Sequence, residues 1–207
     1  GHAILISGKI GSGKSFTSKI MKYRRYLRNP DTEMTILDPR GGFSDFVEGV
    51  DGQSIKIDQD TTINPFQIRQ ANVNDDMNAF QQKIGIVIGL IETIFKGELT
   101  TSSEGVLRRA IKIAYLSKGI TEDPATHHNT APTFSTLFKI LRAMMVGDRV
   151  EDVVDIPSDI DHGMSFYGHD GGMKETVSDD AQTLLLGLEP LQETGQYSNL
   201  NGHTTVD

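Results

Sequence analysis

The sequence predicts an α/β fold in which a parallel sheet flanked by helices carries an all-helical insertion. Over the first 60 residues, short apolar runs alternate with stretches of helical spacing. A glycine-rich segment joins the first apolar run to the first helical stretch, and after Asn64 helical spacing dominates the chain. Alternation of strands with helices is typical of a parallel sheet covered by crossover helices.

The elements of the first part follow from local patterns. Residues 3–7 form a nearly continuous apolar run, which is typical of a buried parallel strand. Apolar side chains at helical spacing predict a helix over residues 16–27, and an Asn-Pro pair ends it. The runs 34–37 and 54–57 predict two more strands, with a short helix between them.

The second part is predicted to be helical. Apolar spacing indicates four helices, over residues 75–95, 101–117, 134–145 and 173–192. Thr101 and Glu104 have the spacing of a capping box, which predicts the start of the second of these helices at Thr101. The acidic, glycine-containing stretch 147–172 is interpreted as a loop.

Composition bounds the class of protein. The 207 residues have a net charge of −8, which argues against a protein that coats nucleic acid but not against a motor with a few local contacts. The absence of cysteine excludes disulfides and thiolate metal sites. The longest apolar run, 84–95, contains Glu92 and is too short to cross a bilayer, so we expect membrane association only through partner proteins.

The segment "GKIGSGKS", residues 8–15, matches G-x-x-x-x-G-K-[ST] at every fixed position. Glycines let backbone N–H groups curl around a phosphate, and the following helix points its positive end at the same anion. Lys14 supplies a charge to the β- and γ-phosphates, Ser15 a hydroxyl to Mg²⁺, and Thr17 reaches the α-phosphate. The predicted nucleotide-binding residues are Gly8, Lys9, Ile10, Gly11, Ser12, Gly13, Lys14, Ser15, Phe16 and Thr17.

Three further segments carry a family resemblance. They are "TILDPRGGFSDF" (35–46), "INPFQI" (63–68) and "TGQYSNLNGHTTVD" (194–207). With the phosphate-binding loop, their order resembles the HerA–FtsK branch of P-loop motors. The pattern is most similar to the conjugative-transfer ATPases of type IV secretion systems, the VirB-type TraC/TrbE group.

The resemblance implies a RecA-like P-loop NTPase core formed by residues 1–69 and 194–207, with residues 70–193 as a helical insertion and acidic loop. It also implies hydrolysis of ATP with Mg²⁺ to energise conjugative DNA transfer or secretion. Lys14 would be catalytic, Ser15 would hold the metal, and Asp38 would join the nucleotide site. The expected partners are further copies in a ring, taken as a hexamer, other proteins of the apparatus, and DNA. The expected location is the cytoplasm, or the inner face of the cell membrane.

This sequence departs from the family pattern in several places. Gly42 stands where many relatives have an acidic residue, and Leu200 where an aromatic residue is common. Asp38 has an alternative role as a turn residue before Pro39. A Walker B strand, with an Asp for the Mg²⁺ shell and a Glu that activates water, is absent. Neither 152–159 nor 184–190 fits it, so we expect the chain to be a fragment whose catalytic carboxylate lies beyond Asp207.

Other readings remain open. One is a HerA-like DNA translocase or viral packaging ATPase, and another is an assembly module that binds nucleotide without turnover. Arg24, Arg25 and Arg28 could face DNA or a neighbouring subunit, with a solvated helix face as the alternative. Arg108 or Arg109 could act as an arginine finger. The histidine pairs 127–128 and 162/169 lack a compact ligand set and are interpreted as loop residues.

Overall fold

A computed structural model describes residues 4–58, 61–68, 79–97, 99–157, 171–192 and 194–205. The chain divides into two compact units, Gly1–Lys56 and Ile57–Asp207. The predicted core assigns residues 57–69 and 194–207 together with the first 56 residues, whereas here both segments lie in the second unit. The functional division into core and insertion stays a prediction.

The first unit contains two helices, α1 (Lys14–Arg28) and α2 (Ser44–Gly49). They meet through aromatic side chains. Phe46 of α2 is buried, and its ring centroid lies 5.9 Å from that of Tyr23 on α1 and 6.4 Å from that of Phe43. Lys19 and Lys22 place their ammonium groups 5.7 and 5.1 Å from the Phe43 ring centroid, a cation–π geometry. This cluster fixes α2 against one face of α1.

The predicted parallel sheet is wrong: the part of the chain that the structure describes contains no strand. The runs 4–7, 34–37 and 54–57 have irregular backbone. Leu5 and Leu37 are 91% and 88% exposed. The physical reason is that a strand, unlike a helix, needs a neighbouring strand to pair its N–H and C=O groups. Apolar runs supply the side chains for a sheet but do not supply that pairing.

The helix predictions are confirmed where the structure describes them. After α1 and α2, the chain forms α3 (Ala79–Ile94), α4 (Thr101–Leu116), α5 (Phe134–Val146) and α6 (Gly171–Gly187). The last helix ends five residues before the predicted Gln192, and Glu189–Leu191 forms a 3₁₀ turn that contains Pro190. Residues 75–78, at the start of the predicted third helix, and 158–170, within the predicted acidic loop, lie outside the described residues.

The start of α4 lies one residue from the predicted cap. The N-cap is Thr100, whose hydroxyl accepts a hydrogen bond from the Ser103 N–H at 3.0 Å. Thr101 is instead the first helical residue. Each threonine precedes a polar residue by three positions, Ser103 for Thr100 and Glu104 for Thr101. Thr100 is the N-cap because its backbone is extended.

The four long helices of the second unit share one apolar core. α5 packs against α6, and α4 contacts α3, α5 and α6. The fully buried side chains of this core include Val87, Ile91, Leu107, Ile111, Leu137, Ile140, Leu184 and Leu188. Apolar residues repeat at helical spacing along each helix, so burial of one face per helix accounts for the packing. Every described helix is too short or too polar to traverse a lipid bilayer.

Two segments distant in sequence, 61–68 and 198–205, bind each other and are called the clasp below. The Ile63 N–H donates to the Asn199 carbonyl at 3.0 Å, and the Thr205 N–H donates to the Thr62 carbonyl at 2.9 Å. The Asn64 N–H donates to the Thr204 hydroxyl at 3.0 Å. The clasp therefore closes the helical unit where its chain enters and leaves it.

Asn64 and Phe66 attach the clasp to the helices. The Asn64 amide donates to the Pro132 carbonyl at 2.9 Å, and its side-chain oxygen accepts the Phe66 N–H at 3.0 Å. The Phe66 ring is fully buried, 5.0 Å from Phe134 and 6.0 Å from Tyr115. The Tyr115 hydroxyl donates to the Phe66 carbonyl at 2.7 Å. Burial raises the pKa of Tyr115 above its ordinary value, so the phenol stays protonated.

Tyr115→Phe should destabilise the helical unit by about 1–3 kcal/mol, because it leaves the buried Phe66 carbonyl without its donor. Because of the raised pKa, the difference in unfolding free energy between the wild type and the variant depends on pH. Above the ordinary tyrosine pKa of 10.0 the unfolded phenol ionises and the folded one does not, so the native protein loses stability as pH rises. Urea unfolding at several pH values should therefore show a difference that shrinks above about pH 10. A difference that stays constant into strong alkali would contradict this account.

Candidate phosphate-binding loop

The loop 8–13 owes its shape to two glycines in the left-handed region. Gly11 has a φ of 82° and Gly13 a φ of 83°. A side chain at either position would be strained, which is why glycine stands at both. The Ser12 N–H donates to the Lys9 carbonyl at 3.2 Å and closes the turn. Gly13 then serves as the N-cap of α1, so the loop leads directly into the helix.

Lys14, the first residue of α1, folds its side chain back over this loop. Its ammonium group donates to the carbonyl oxygens of Gly8 and Lys9, both at 2.6 Å. An ammonium has three donors, so two hold the loop and the third is available to an anion. The positive charge is thereby fixed above the turn. The sequence motif does not identify the Gly8 and Lys9 carbonyls as acceptors. The signal that could have identified them is their position six and five residues before Lys14.

The start of α1 presents a concentration of N–H donors. The first intrahelical bond runs from the Thr17 N–H to the Gly13 carbonyl at 2.8 Å. The N–H groups of residues 14–16 therefore precede the first partner carbonyl that the helix offers. The first turn contains no acidic residue, and Gly13 has no side chain to cap it. The helix dipole adds partial positive charge at the same end.

An added Cβ would meet Ser12 at Gly8, whereas Gly11 and Gly13 border open space. A Cβ at Gly8 would lie 2.6 Å from the Ser12 hydroxyl, closer than real contacts allow. Cβ atoms at Gly11 and Gly13 would have no heavy atom within 4 Å, so space adjoins the loop there. Convergent N–H donors, a fixed ammonium and this space fit a polyphosphate chain.

The remaining predicted loop residues are exposed. The Ser15 and Thr17 side chains reach solvent near the helix start, where their hydroxyl oxygens suit a hard cation and a phosphate, respectively. Ile10 is fully exposed, and its apolar side chain offers no donor, so its contribution would come from the backbone. Phe16 is 69% exposed and lies on a face of α1 that the first unit leaves uncovered. Residues 8–17 are thus brought together at one end of α1.

Asp38 uses its carboxylate within its own turn. One oxygen accepts the Phe43 N–H at 2.7 Å and the other accepts the Arg40 N–H at 3.2 Å. These bonds match the alternative prediction of a turn residue before Pro39. A role for Asp38 at the nucleotide stays a prediction, and each of its oxygens keeps a second lone pair for such a contact.

Other residues singled out by the sequence have local partners. Arg108 pairs with Glu104 of its own helix at 2.9 Å. His127 is buried, stacks 6.4 Å from Phe80 and lies 3.0 Å from the Thr121 carbonyl. His162 and His169 lie outside the described residues, and within the described ones no group of side chains has the composition of a metal site.

The fold is similar to that of a solved protein. No protein-family model matches the sequence, and no curated protein matches it. The structure of VirB4 of Thermoanaerobacter pseudethanolicus is similar with a TM-score of 0.65 and 21% identity, over 97% of this chain and 46% of that one. At this identity the likeness concerns the fold. The chain spans about half the length of the VirB4 chain that it matches.

The contact at Gly8 gives a paired test of the loop. Gly8→Ala should weaken ATP binding modestly, because the new methyl group forces the Ser12 hydroxyl out of its position in the loop. Adding Ser12→Ala removes the clashing hydroxyl, while the Ser12 Cβ lies at an ordinary 3.5 Å, so the double variant should recover much of the affinity. Calorimetric titration of the three proteins measures this. Ser12→Ala alone is the control, and equal weakness in the single Gly8 and double variants would refute the steric explanation.

Proposed function

We propose that this chain binds ATP with Mg²⁺ at residues 8–17 and serves a type IV secretion or conjugation ATPase of the VirB4 kind. The observation that supports this most is the arrangement of Lys14. Its ammonium group is fixed on the Gly8 and Lys9 carbonyls at the donor-rich start of α1. The likeness to VirB4 and the order of the sequence motifs support the same assignment.

Different residues of the loop and of α1 would bind different parts of the nucleotide. The N–H groups of residues 14–16 and of the loop would hold the phosphate oxygens, and the third donor of Lys14 would meet the β- and γ-phosphates. Because Lys14 is already oriented, little ordering cost would accompany binding. The Ser15 hydroxyl would orient the magnesium ion, which when bound offsets phosphate charge. Glycine at position 8 lets the backbone there approach the Ser12 side chain closely.

The motor function belongs to the proposal for the whole protein. We propose ATP hydrolysis that energises transfer of DNA or protein, in a ring taken as a hexamer with other proteins of the apparatus. Because this chain matches 46% of VirB4, hydrolysis is proposed for the whole protein and not for these residues alone. In the described residues Arg108 is held by Glu104, so a finger role for it would require that pair to open.

A second candidate is a nucleotide-binding assembly module without turnover. It is favoured by Asp38, whose two carboxylate oxygens both accept backbone N–H groups of its own turn. Steady-state ATP hydrolysis, with and without DNA, separates the two candidates. Turnover only in a longer form of the protein supports the motor. Binding without turnover in both forms supports the module.

Lys14→Ala should reduce ATP affinity by about tenfold to a hundredfold or more, since it removes a charge-assisted bond to phosphate and the tie across the loop. The matched control is Lys19→Ala, which removes the same charge from the same helix but faces Phe43. Fluorescence titration with a labelled ATP analogue measures both. Equal affinity of the Lys14 variant and the wild type would show that the loop is not the nucleotide site.

A further inference from the structure

Positive charge is concentrated at the start of an otherwise acidic chain. The first 30 residues contain seven lysines and arginines and no aspartate or glutamate, whereas the whole chain has a net charge of −8. Six of the seven lie on α1. The phosphate-binding loop accounts for Lys9 and Lys14, so most of this charge has another role or none.

The cations of α1 separate onto different faces. Lys19 and Lys22 lie over the Phe43 ring, on the face that packs against residues 43–46. At 100° per residue, Arg24, Arg25 and Arg28 fall within one arc of about 100° on another face. We call these three residues the arginine stripe. All three are exposed, and within the described part of the chain none of them makes an ion pair.

The tyrosines interleaved with these arginines do not share the stripe. Helix geometry places Tyr23 and Tyr26 about 150° around α1 from the middle of the arginine stripe. Tyr23 is in fact directed to Phe46, at 5.9 Å between ring centroids. A ligand on the stripe would therefore meet guanidinium groups without stacking aromatic rings, which suits phosphates rather than bases.

The stripe is separate from the nucleotide loop. Lys14 and Arg28 mark the two ends of α1, which places them about 21 Å apart along its axis. Phe16 and Leu27, the two most exposed apolar side chains of α1, lie on a face about 120° from the stripe, whereas the less exposed Met21 falls within its arc. A bilayer surface that covered the arginines would leave the Phe16 and Leu27 side chains outside it, whereas a nucleic-acid backbone requires the arginines only.

We propose that the arginine stripe binds the phosphodiester backbone of nucleic acid without reading its sequence. Arg24 and Arg25 are neighbours and Arg28 lies about one turn further along the same helix face, so three guanidinium groups are grouped where they can meet adjacent phosphates of a strand. The surface does not depend on the proposed ATP site, because its residues make no contact with the loop in the described structure. Binding should therefore occur without nucleotide and should not be displaced by ATP.

The test measures binding of the whole chain to labelled single-stranded and duplex DNA of mixed sequence by fluorescence anisotropy at several salt concentrations. Three phosphate contacts predict a slope of log affinity against log salt near −2.7 for duplex, or about a 40-fold loss between 50 and 200 mM. Arg24→Gln/Arg25→Gln/Arg28→Gln should lower affinity by about tenfold or more and flatten the slope. The corresponding lysine variant should keep most of the slope, since it keeps the charge.

The matched control is Lys118→Gln/Lys139→Gln/Arg142→Gln, which makes the same charge change at exposed positions of the helical unit. It should bind DNA as the wild type does. ATP binding by the stripe variant checks that its fold is intact. The proposal is overturned if both triple variants lose binding equally, if ATP displaces the DNA, or if the wild type binds vesicles of anionic lipid and no DNA. Preference for duplex or single strand decides which backbone form the stripe fits.

Discussion

The requirement that every backbone N–H and C=O group find a partner governs the organisation of this chain. The six α-helices of the described residues meet it internally, and apolar spacing predicts them with ends displaced by a few residues. Outside the helices, side chains and distant segments supply the partners. At the start of α1 the first N–H groups have no intrahelical acceptor, so the helix itself does not meet this requirement there. Glycines at positions 11 and 13 bring the chain into that helix without a capping side chain, so the donors remain for an anion.

The same requirement explains what the sequence predicted and what it did not. Helical periodicity is local, and it located α3 to α6 to within about five residues where they are described. Strands depend on partners elsewhere, and the apolar runs near Leu5 and Leu37 have no sheet in the described structure. The α4 cap differs by one residue because Thr100 and Thr101 are locally equivalent and only the backbone conformation distinguishes them.

The candidate site shows the same division between local and distant information. Residues 8–15 are predictable because the motif specifies consecutive positions and the geometry of the loop is set by its own glycines. The bonds of the clasp were not predicted, since they join backbone groups and single side chains some 140 positions apart, such as Asn64 and Thr204. The same segments carry part of the family resemblance in the sequence. In this structure they bind each other and, through Phe66 and Tyr115, the helical core.

The central claim is that the start of α1 holds the β- and γ-phosphates of a nucleotide. Calorimetric titration of the whole chain with ATP and with AMP, each with Mg²⁺, tests it most directly, because the two ligands share a base and differ in the phosphates. The account predicts that ATP binds at least about tenfold more tightly than AMP, as expected when charge-assisted bonds to the outer phosphates are lost. Equal affinities, or no binding of ATP, would contradict it.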